Sequence, residues 1–220
     1  MVGRGMSDNN HFPSTLLWHE ADDAHSLAKH LAFDVAKSLA QFLSVKKRVI
    51  FAVSGGSTPK PFFQVLSEQK LDWSRVDILL VDERWVALSD PNSNEAMVRR
   101  YLLQNEASSA QLLSIKNKAE SPELGLPECE QSLQTLELPI DIVVLGMGDD
   151  GHAASLFPNM PNLREALSSD TLLYVVARPE NSDLPRVSFS ARLLSSASVV
   201  ILHITGQSKR DTLAKACQQK

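Results

Sequence analysis

The stretch Ile140–Pro158 constrains the fold of this chain more than any other part of the sequence. Its first residues, Ile140–Leu145, are largely apolar and β-branched, which is typical of a buried strand. The next residues, Gly146–His152, contain three glycines, two adjacent carboxylates and an imidazole. Glycine lets the backbone turn sharply and approach a ligand closely. We therefore expect a buried strand that ends in a glycine-rich turn, with polar side chains above the sheet edge.

The three glycines of this turn also have the G-x-G-x-x-G spacing of dinucleotide-binding proteins, and Asp170 follows about 20 residues later, where a ribose-binding acid is found. We reject this interpretation for three reasons. Asp149 and Asp150 would place negative charge against a pyrophosphate. Pro158 interrupts the helix that should follow the third glycine. Asp170 precedes the apolar run Leu172–Val176, whereas the acid should lie at the end of a strand.

The composition is that of an ordinary globular protein, with 43% hydrophobic and 22% charged residues in a chain of 220. We expect one α/β domain over residues 14–220, after a disordered tail over residues 1–13 that has no signal-peptide core. A net charge of −4 without a basic run argues against nucleic acid as a partner. No apolar stretch reaches the ~18 residues of a membrane span. Cys129 and Cys217 have neither metal nor redox spacing, which favours a reducing cytoplasm.

Hydrophobic periodicity predicts strands that alternate with helices along the chain. The predicted strands and extended segments are Ser14–His19, Arg48–Val53, Val76–Val81, Ile140–Leu145, Leu172–Val176, Pro185–Ser190 and Ser198–Ile204. Apolar residues between Ala24 and Phe42 recur at three- and four-residue intervals and predict an amphipathic helix, on which His25 and His30 face solvent. This alternation indicates a single Rossmann-like α/β domain, with a mainly parallel sheet flanked by helices.

A second glycine-rich loop, Ser54–Pro59, lies between a predicted buried strand and a predicted helix. We expect Ser57 or Thr58 to cap that helix, with Pro59 in its first turn. Free backbone N–H groups and the positive end of the helix dipole together form an anion site. The alternative is an ordinary strand–helix turn. Two adjacent glycines flanked by three hydroxyl residues are more than such a turn requires.

Charged residues, Asp82–Trp85, also follow the strand Val76–Val81 directly. They are either solvated loop charges or part of a pocket wall. In open parallel sheets, ligands bind beyond the carboxyl ends of the strands. We therefore expect four loops to converge on one rim, namely those after Val53, Val81, Leu145 and Ile204. His203, inside the last predicted strand, is expected to be a core histidine.

Six motifs occur in order over nearly the whole chain. They are SGGSTPK at 54–60, DERWV at 82–86, Ser93 with Asn94, GMGDDGHAASLFP at 146–158, PRVSFS at 185–190, and Gly206 with Lys209. Together they resemble the 6-phosphogluconolactonases of the glucosamine-6-phosphate isomerase/6-phosphogluconolactonase family. The resemblance implies a sugar-phosphate isomerase/deaminase-like fold, and hydrolysis of 6-phospho-D-glucono-1,5-lactone in the pentose phosphate pathway.

The chain departs from the family pattern at two points. Ala153 stands where the family more often has threonine, a small change that should leave the neighbouring imidazole in place. Relatives usually continue into another strand beyond the helix that begins at Gln207, so the domain is expected to be short at its C-terminus.

The chemistry implied by the resemblance fits the residues. Lactone opening needs a water activated near neutral pH, and a histidine, which ordinarily titrates near pH 6.5, suits the general base. His152 is the candidate, with Asp150 or Asp82 to fix its tautomer and stabilise the imidazolium. Arg84 is a candidate either for the oxyanion or for the phosphate. The candidate substrate-binding residues are Ser54, Gly55, Gly56, Ser57, Thr58, Arg84, Gly148, Arg186 and Lys209.

The expected ligand is a phosphosugar lactone, and neither nucleic acid nor a membrane is expected as a partner. No metal or cofactor is expected, because no pair of ligands has zinc-like spacing. We expect a monomer or a weak homo-oligomer in the cytoplasm.

Two other functions remain as alternatives on the same fold. A glucosamine-6-phosphate deaminase or isomerase would require an acid five residues after the histidine, where this chain has Phe157. A non-catalytic sugar-phosphate sensor is the other alternative. Against it, no DNA-binding segment accompanies the domain, and His152 and Asp150 are both present.

Overall fold

The structure is a computed structural model that describes residues 12–13, 16–180 and 182–218. Over these residues the strands are β1 (Val49–Val53), β2 (Val76–Leu80), β3 (Asp82–Arg84), β4 (Gln111–Leu113), β5 (Ile142–Leu145), β6 (Tyr174–Ala177), β7 (Arg186–Phe189) and β8 (Val199–Leu202). The α-helices are α1 (Ala24–Val45), α2 (Lys60–Ser67), α3 (Asn94–Tyr101), α4 (Pro122–Gln134), α5 (Leu163–Ser168), α6 (Ala191–Ser195) and α7 (Gln207–Gln218). Helices thus alternate with strands for most of the chain.

The central sheet has five strands in the order β4-β2-β1-β5-β8, and all of its pairings are parallel. Every residue of β1 and β2 is buried, as is every residue of β5. Parallel strands covered on both faces have nearly continuous apolar sequences, which is why these strands could be found from the sequence. The predicted α/β class with a mainly parallel sheet is confirmed.

Helix α1 covers the sheet with a stripe of small and branched residues. Its N-terminus is capped by Asp23, whose carboxylate accepts hydrogen bonds from the backbone N–H groups of His25 (2.8 Å) and Ser26 (2.9 Å). Val35 and Leu39 are fully buried, and α1 packs against α2. The histidines of α1, His25 among them, are exposed as predicted.

A second sheet of three antiparallel strands, in the order β3-β7-β6, continues from the first at Val81. The N–H of Val81 donates to the Val53 carbonyl of β1 (3.0 Å), while its own carbonyl accepts from Phe189 of β7 (2.8 Å). The charged segment after β2 therefore forms a strand instead of the expected loop. The predicted strand Leu172–Val176 corresponds to β6, which belongs to this antiparallel sheet and not to the parallel one.

Other local predictions were also wrong. The described part of the predicted first strand, Leu16–His19, forms no strand; the ring of Trp18 stacks on Phe12 instead, with centroids 4.6 Å apart. Residues 1–11, Ser14 and Thr15 of the predicted tail and strand lie outside the described residues. Strand β4 was not predicted, because three residues at a sheet edge give no periodic signal. In the described ranges, no helix is long and apolar enough to cross a membrane.

Candidate active site

A cavity of about 270 Å³ lies at the carboxyl ends of β1, β5 and β8. The loops that follow Val53, Leu145 and Ile204 meet there together with β3, which follows Val81, so the predicted convergence is confirmed. The predicted site residues that line it are Ser54, Gly55, Gly56, Ser57, Thr58, Asp82, Arg84, Gly148, His152, Arg186 and Lys209. Asp150 adjoins the cavity through its hydrogen bond to the His152 ring.

The loop after β1 is held by Ser54 and by close packing. The Ser54 hydroxyl accepts a hydrogen bond from the N–H of Gly146 (3.0 Å), which ties this loop to the loop after β5. A Cβ at Gly55 would lie 1.9 Å from Oδ1 of Asn94, so only glycine fits there. Within the described part of the chain, the backbone N–H groups of residues 55–58 donate to no protein acceptor. They are available to an anion.

The expected side-chain cap of α2 is wrong. The N-cap residue is Pro59, and no side chain makes a capping hydrogen bond there. The turn begins earlier, because the N–H of Lys60 donates to the carbonyl of Ser57 (3.3 Å). Ser57 and Thr58 are exposed and line the cavity.

His152 and Asp150 form a hydrogen-bonded pair at the end of the β5 loop. Nδ1 of His152 lies 2.6 Å from Oδ1 of Asp150, and the His152 N–H contacts the same oxygen at 3.2 Å. Burial alone would raise the pKa of Asp150, but the hydrogen bonds from His152 outweigh it and lower this pKa below its ordinary value. With the Nδ1 proton held by the carboxylate, Nε2 is the basic nitrogen of the ring.

Gly148 makes room for this pair. A Cβ at this position would lie 2.2 Å from Nδ1 of His152 and 2.5 Å from Oδ1 of Asp150. The turn is closed by the N–H of Gly148, which donates to the His152 carbonyl (2.8 Å), and by Gly151, whose φ of +88° suits glycine. The helix that a dinucleotide site would need is not formed here, since α5 begins only at Leu163.

Asp82 lines the same cavity but has other partners. One carboxylate oxygen, Oδ2, accepts a hydrogen bond from the hydroxyl of Ser155 (2.5 Å). The amide of Asn94 donates to the Asp82 carbonyl oxygen (2.9 Å) and lies 3.5 Å from Oδ1. Of the two carboxylates proposed from the sequence to orient His152, Asp150 is the one in contact with the ring.

Three cationic side chains also line the cavity. Arg84 donates from Nη1 to the carbonyl of Asn92 (2.6 Å), and Lys209 lies 3.1 Å from Oδ1 of Asp149. Burial lowers the pKa of Arg186, and the positive charge of Arg84 lowers it further. Such a cluster of positive charge is suited to a dianionic group.

Sequence and structure comparisons place the chain in a known family. Residues 22–220 match the model of glucosamine-6-phosphate isomerases/6-phosphogluconolactonase. This chain belongs to that family. It is 38% identical over 218 residues to a 6-phosphogluconolactonase of Pseudomonas putida, covering 98% of this chain and 90% of the relative. A crystal structure of a 6-phosphogluconolactonase from Shewanella baltica superposes with a TM-score of 0.90 at 35% identity, over 94% of this chain and 88% of the other.

The same fold also occurs outside the lactonases. A monomeric glucosamine-6-phosphate deaminase matches with a TM-score of 0.73 at 18% identity, covering 92% of this chain and 87% of the other, which shows the shared fold alone. The resemblance inferred from the motifs is thus confirmed, as is the assignment to ester hydrolases.

Two buried polar residues that line the cavity, Asn94 and His203, were not among the predicted site residues. Asn94 is buried at the start of α3 and contacts both Gly55 and Asp82. His203 is buried as expected, with 6% exposure, but it also lines the cavity. Their signal in the sequence was weak, because an asparagine before a helix and a histidine in an apolar strand both have ordinary structural explanations.

Proposed function

We propose that this protein hydrolyses 6-phospho-D-glucono-1,5-lactone to 6-phospho-D-gluconate, a step of the oxidative pentose phosphate pathway. The observation that carries the proposal is the joint placement of a carboxylate–imidazole pair and three cations around one cavity. The pair suits activation of water, and the cations suit a phosphate. The names of the relatives, which are 6-phosphogluconolactonases, support the same reaction.

His152 acts as the general base in the proposed mechanism. The oxygen of a water molecule attacks the lactone carbonyl carbon while Nε2 of His152 takes a proton from that water. Asp150 stabilises the imidazolium that forms. The tetrahedral oxyanion then collapses, the bond between the carbonyl carbon and the ring oxygen breaks, and the imidazolium returns the proton to that oxygen. The immediate products are a free hydroxyl group and a carboxylic acid, which releases its proton to solvent near neutral pH to give the carboxylate.

The phosphate is held at the opposite end of the substrate by the Gly55–Thr58 loop. The free N–H groups of this loop supply directed donors, and Arg186 and Lys209 supply charge. Arg84, on the same wall, adds positive charge for the phosphate or the oxyanion. Asp82 accepts a hydrogen bond from Ser155 and lies close to the side chain of Asn94, and so holds both in position at the cavity.

The test is a direct assay of freshly prepared phospholactone, followed by NMR or by proton release, with spontaneous hydrolysis subtracted. The purified protein is expected to accelerate the loss of the 1,5-lactone at catalytic concentration. Glucosamine 6-phosphate is assayed in parallel for ammonia release, and none is expected. Ammonia release without lactone hydrolysis would replace the proposed function with deamination.

A further inference from the structure

The ring of Phe157 contacts two residues of the candidate site. The ring centroids of Phe157 and His152 are 4.2 Å apart, with the ring planes inclined by 43°. The guanidinium carbon of Arg186 lies 5.0 Å from the centroid of the same phenylalanine ring. One aromatic side chain therefore contacts both the candidate base and a candidate phosphate-binding cation.

An irregular turn brings Phe157 to this place. Ala154 has a φ of +51°, a left-handed conformation that is unfavourable for any residue with a Cβ. The next residue, Ser155, is fully buried; its N–H donates to Oγ of Ser188 (3.1 Å) and its hydroxyl to Oδ2 of Asp82 (2.5 Å). These two hydrogen bonds hold a backbone conformation that the local sequence would not adopt alone.

The ring of Phe157 is the contact that holds Arg186 without using its donors. In the described residues, Nε of Arg186 is buried with no hydrogen-bond partner, and no carboxylate lies within ion-pair distance of the guanidinium. An aromatic face attracts a guanidinium through its quadrupole and leaves the N–H groups free. Arg186 thus lines the cavity with its side-chain donors unpaired among the described residues.

We propose that Phe157 is a positioning residue, whose ring sets the imidazole of His152 and the guanidinium of Arg186 at a fixed separation. This inference rests on the proposed lactonase function, in which these groups act on the carbonyl and the phosphate of one substrate. The six-membered ring and the C6 phosphate ester limit how far apart the carbonyl carbon and the phosphorus of this substrate can lie. An aromatic ring that contacts both the base and the cation restricts their relative positions to match that limited span.

An apolar ring at this position also avoids competition for the hydrogen bonds of its two partners. A carboxylate at residue 157 would be drawn to the guanidinium of Arg186 and would compete with the substrate phosphate for it. It would also compete with Asp150 for the proton of the His152 ring. Phenylalanine contacts both residues and can accept a conventional hydrogen bond from neither.

The first experiment compares Phe157→Leu and Phe157→Tyr in steady-state kinetics. With the phospholactone, Phe157→Leu should lower kcat about tenfold through misplacement of the base, and raise KM about three- to fivefold through loss of the aromatic contact. Phe157→Tyr keeps the ring and should stay within about twofold of wild type. Phe42→Leu is the control, since Phe42 is also partly buried against the core but, among the described residues, its ring contacts neither His152 nor Arg186.

A double-mutant cycle separates the two contacts. In an Arg186→Ala background, Phe157→Leu should raise KM no further, while the loss in kcat persists. The unphosphorylated glucono-1,5-lactone should show only the loss in kcat. If the two substitutions raise KM independently, Phe157 does not act through Arg186 and the proposal is overturned.

A measurement without turnover keeps this inference distinct from the proposed function. The ring current of Phe157 shifts the ring protons of His152 in the NMR spectrum, and Phe157→Leu should move those signals while Phe42→Leu should not. If wild type does not hydrolyse the phospholactone, the proposed function fails, and with it the kinetic role. If wild type is active and Phe157→Leu behaves like Phe42→Leu in rate and spectrum, only the role of Phe157 is refuted.

Discussion

At the scale of single residues, the placement of His152 gives the most direct prediction. His152→Ala should lower kcat for the phospholactone by about 10²–10⁴, the usual contribution of a positioned proton-transfer group, with the fold intact by circular dichroism. His30→Ala, on the exposed face of α1, is the matched control. A kcat near wild type in His152→Ala would remove His152 from the mechanism.

The contact between Asp150 and Nδ1 of His152 predicts a second kinetic effect. Asp150→Asn should cut kcat by at least tenfold with little change in KM, because the amide neither fixes the tautomer nor stabilises the imidazolium. Asp82→Asn disturbs the buried bond to Ser155 instead, so its larger effect should be on the melting temperature. The assignment is wrong if Asp82→Asn lowers kcat selectively and Asp150→Asn does not.

Arg186 supplies a third prediction at this scale. Its charge-assisted hydrogen bonds to phosphate are worth about 1.5–3 kcal/mol each, so Arg186→Ala should lower kcat/KM for the phospholactone at least tenfold. Hydrolysis of unphosphorylated glucono-1,5-lactone should barely change. Arg192→Ala, on an exposed arginine outside the cavity, controls for loss of charge. Equal losses with both lactones would place Arg186 at the reacting carbonyl.

The sequence could not show the roles of residues that depend on contacts with other side chains. Asp149 and Asp150 are adjacent in the sequence, yet the first pairs with Lys209 and the second with His152. The direction of a side chain after a glycine turn depends on the backbone angles of that turn. His152 could be proposed from its residue type and motif, whereas its carboxylate partner needed the fold.

At the scale of secondary structure, Glu83 links β3 to the start of α3. Its buried carboxylate accepts hydrogen bonds from the N–H groups of Asn94 (2.8 Å), Glu95 (2.7 Å) and Arg84 (2.8 Å), and from the hydroxyl of Ser93 (3.1 Å). Glu83→Gln replaces one acceptor oxygen by a donor, which leaves buried N–H groups unpaired. Urea unfolding should show a loss of about 1.5–3 kcal/mol.

The control for Glu83 is Glu106→Gln, an exposed glutamate that should change stability by less than about 0.5 kcal/mol. If both variants unfold at the same urea concentration as wild type, the carboxylate does not stabilise α3.

The elements that sequence analysis missed or misplaced share a physical cause. β1, β2 and β5 are buried on both faces and have unmistakable apolar runs, but β3 is the charged triplet Asp82–Arg84. Its strand conformation comes from antiparallel pairing with β7, more than 100 positions away in the chain. No local pattern reports a partner so distant, and the same holds for the assignment of β6 to the second sheet.

At the scale of the whole molecule, the position of the cavity follows from the strand order. From β1 the chain proceeds to β2 and β4 on one side, then returns to β5 and β8 on the other. The order therefore reverses between β1 and β5, where the hydroxyl of Ser54 accepts from Gly146. Ligands of open parallel sheets bind at such a reversal. The parallel topology was therefore enough to predict that the cavity lies at the carboxyl ends of the strands. Its position along that edge, between β1 and β5, required the strand order.

His203 makes the stability of the whole molecule depend on pH. Burial lowers its pKa to about 4 from the ordinary 6.5, and neither ring nitrogen has a hydrogen-bond partner in the described part of the chain. Between these two pH values the unfolded chain binds a proton that the folded protein does not. The contribution of neutral His203 to the free energy of unfolding is therefore fully present above about pH 6.5. This contribution is lost as the pH falls toward 4.

His203→Leu should reduce this pH dependence. From pH 7.5 to pH 5, the free energy of unfolding of wild type should fall by about 2 kcal/mol more than that of the variant, because each unit of pKa difference is worth about 1.4 kcal/mol. Urea titrations at both pH values measure the difference, and His30→Leu, at an exposed position of α1, should keep the wild-type dependence. Parallel loss of stability in wild type and His203→Leu would mean that His203 is protonated in the folded protein at pH 5. Its ring would then have to be solvated or paired in solution, contrary to its burial in the structure.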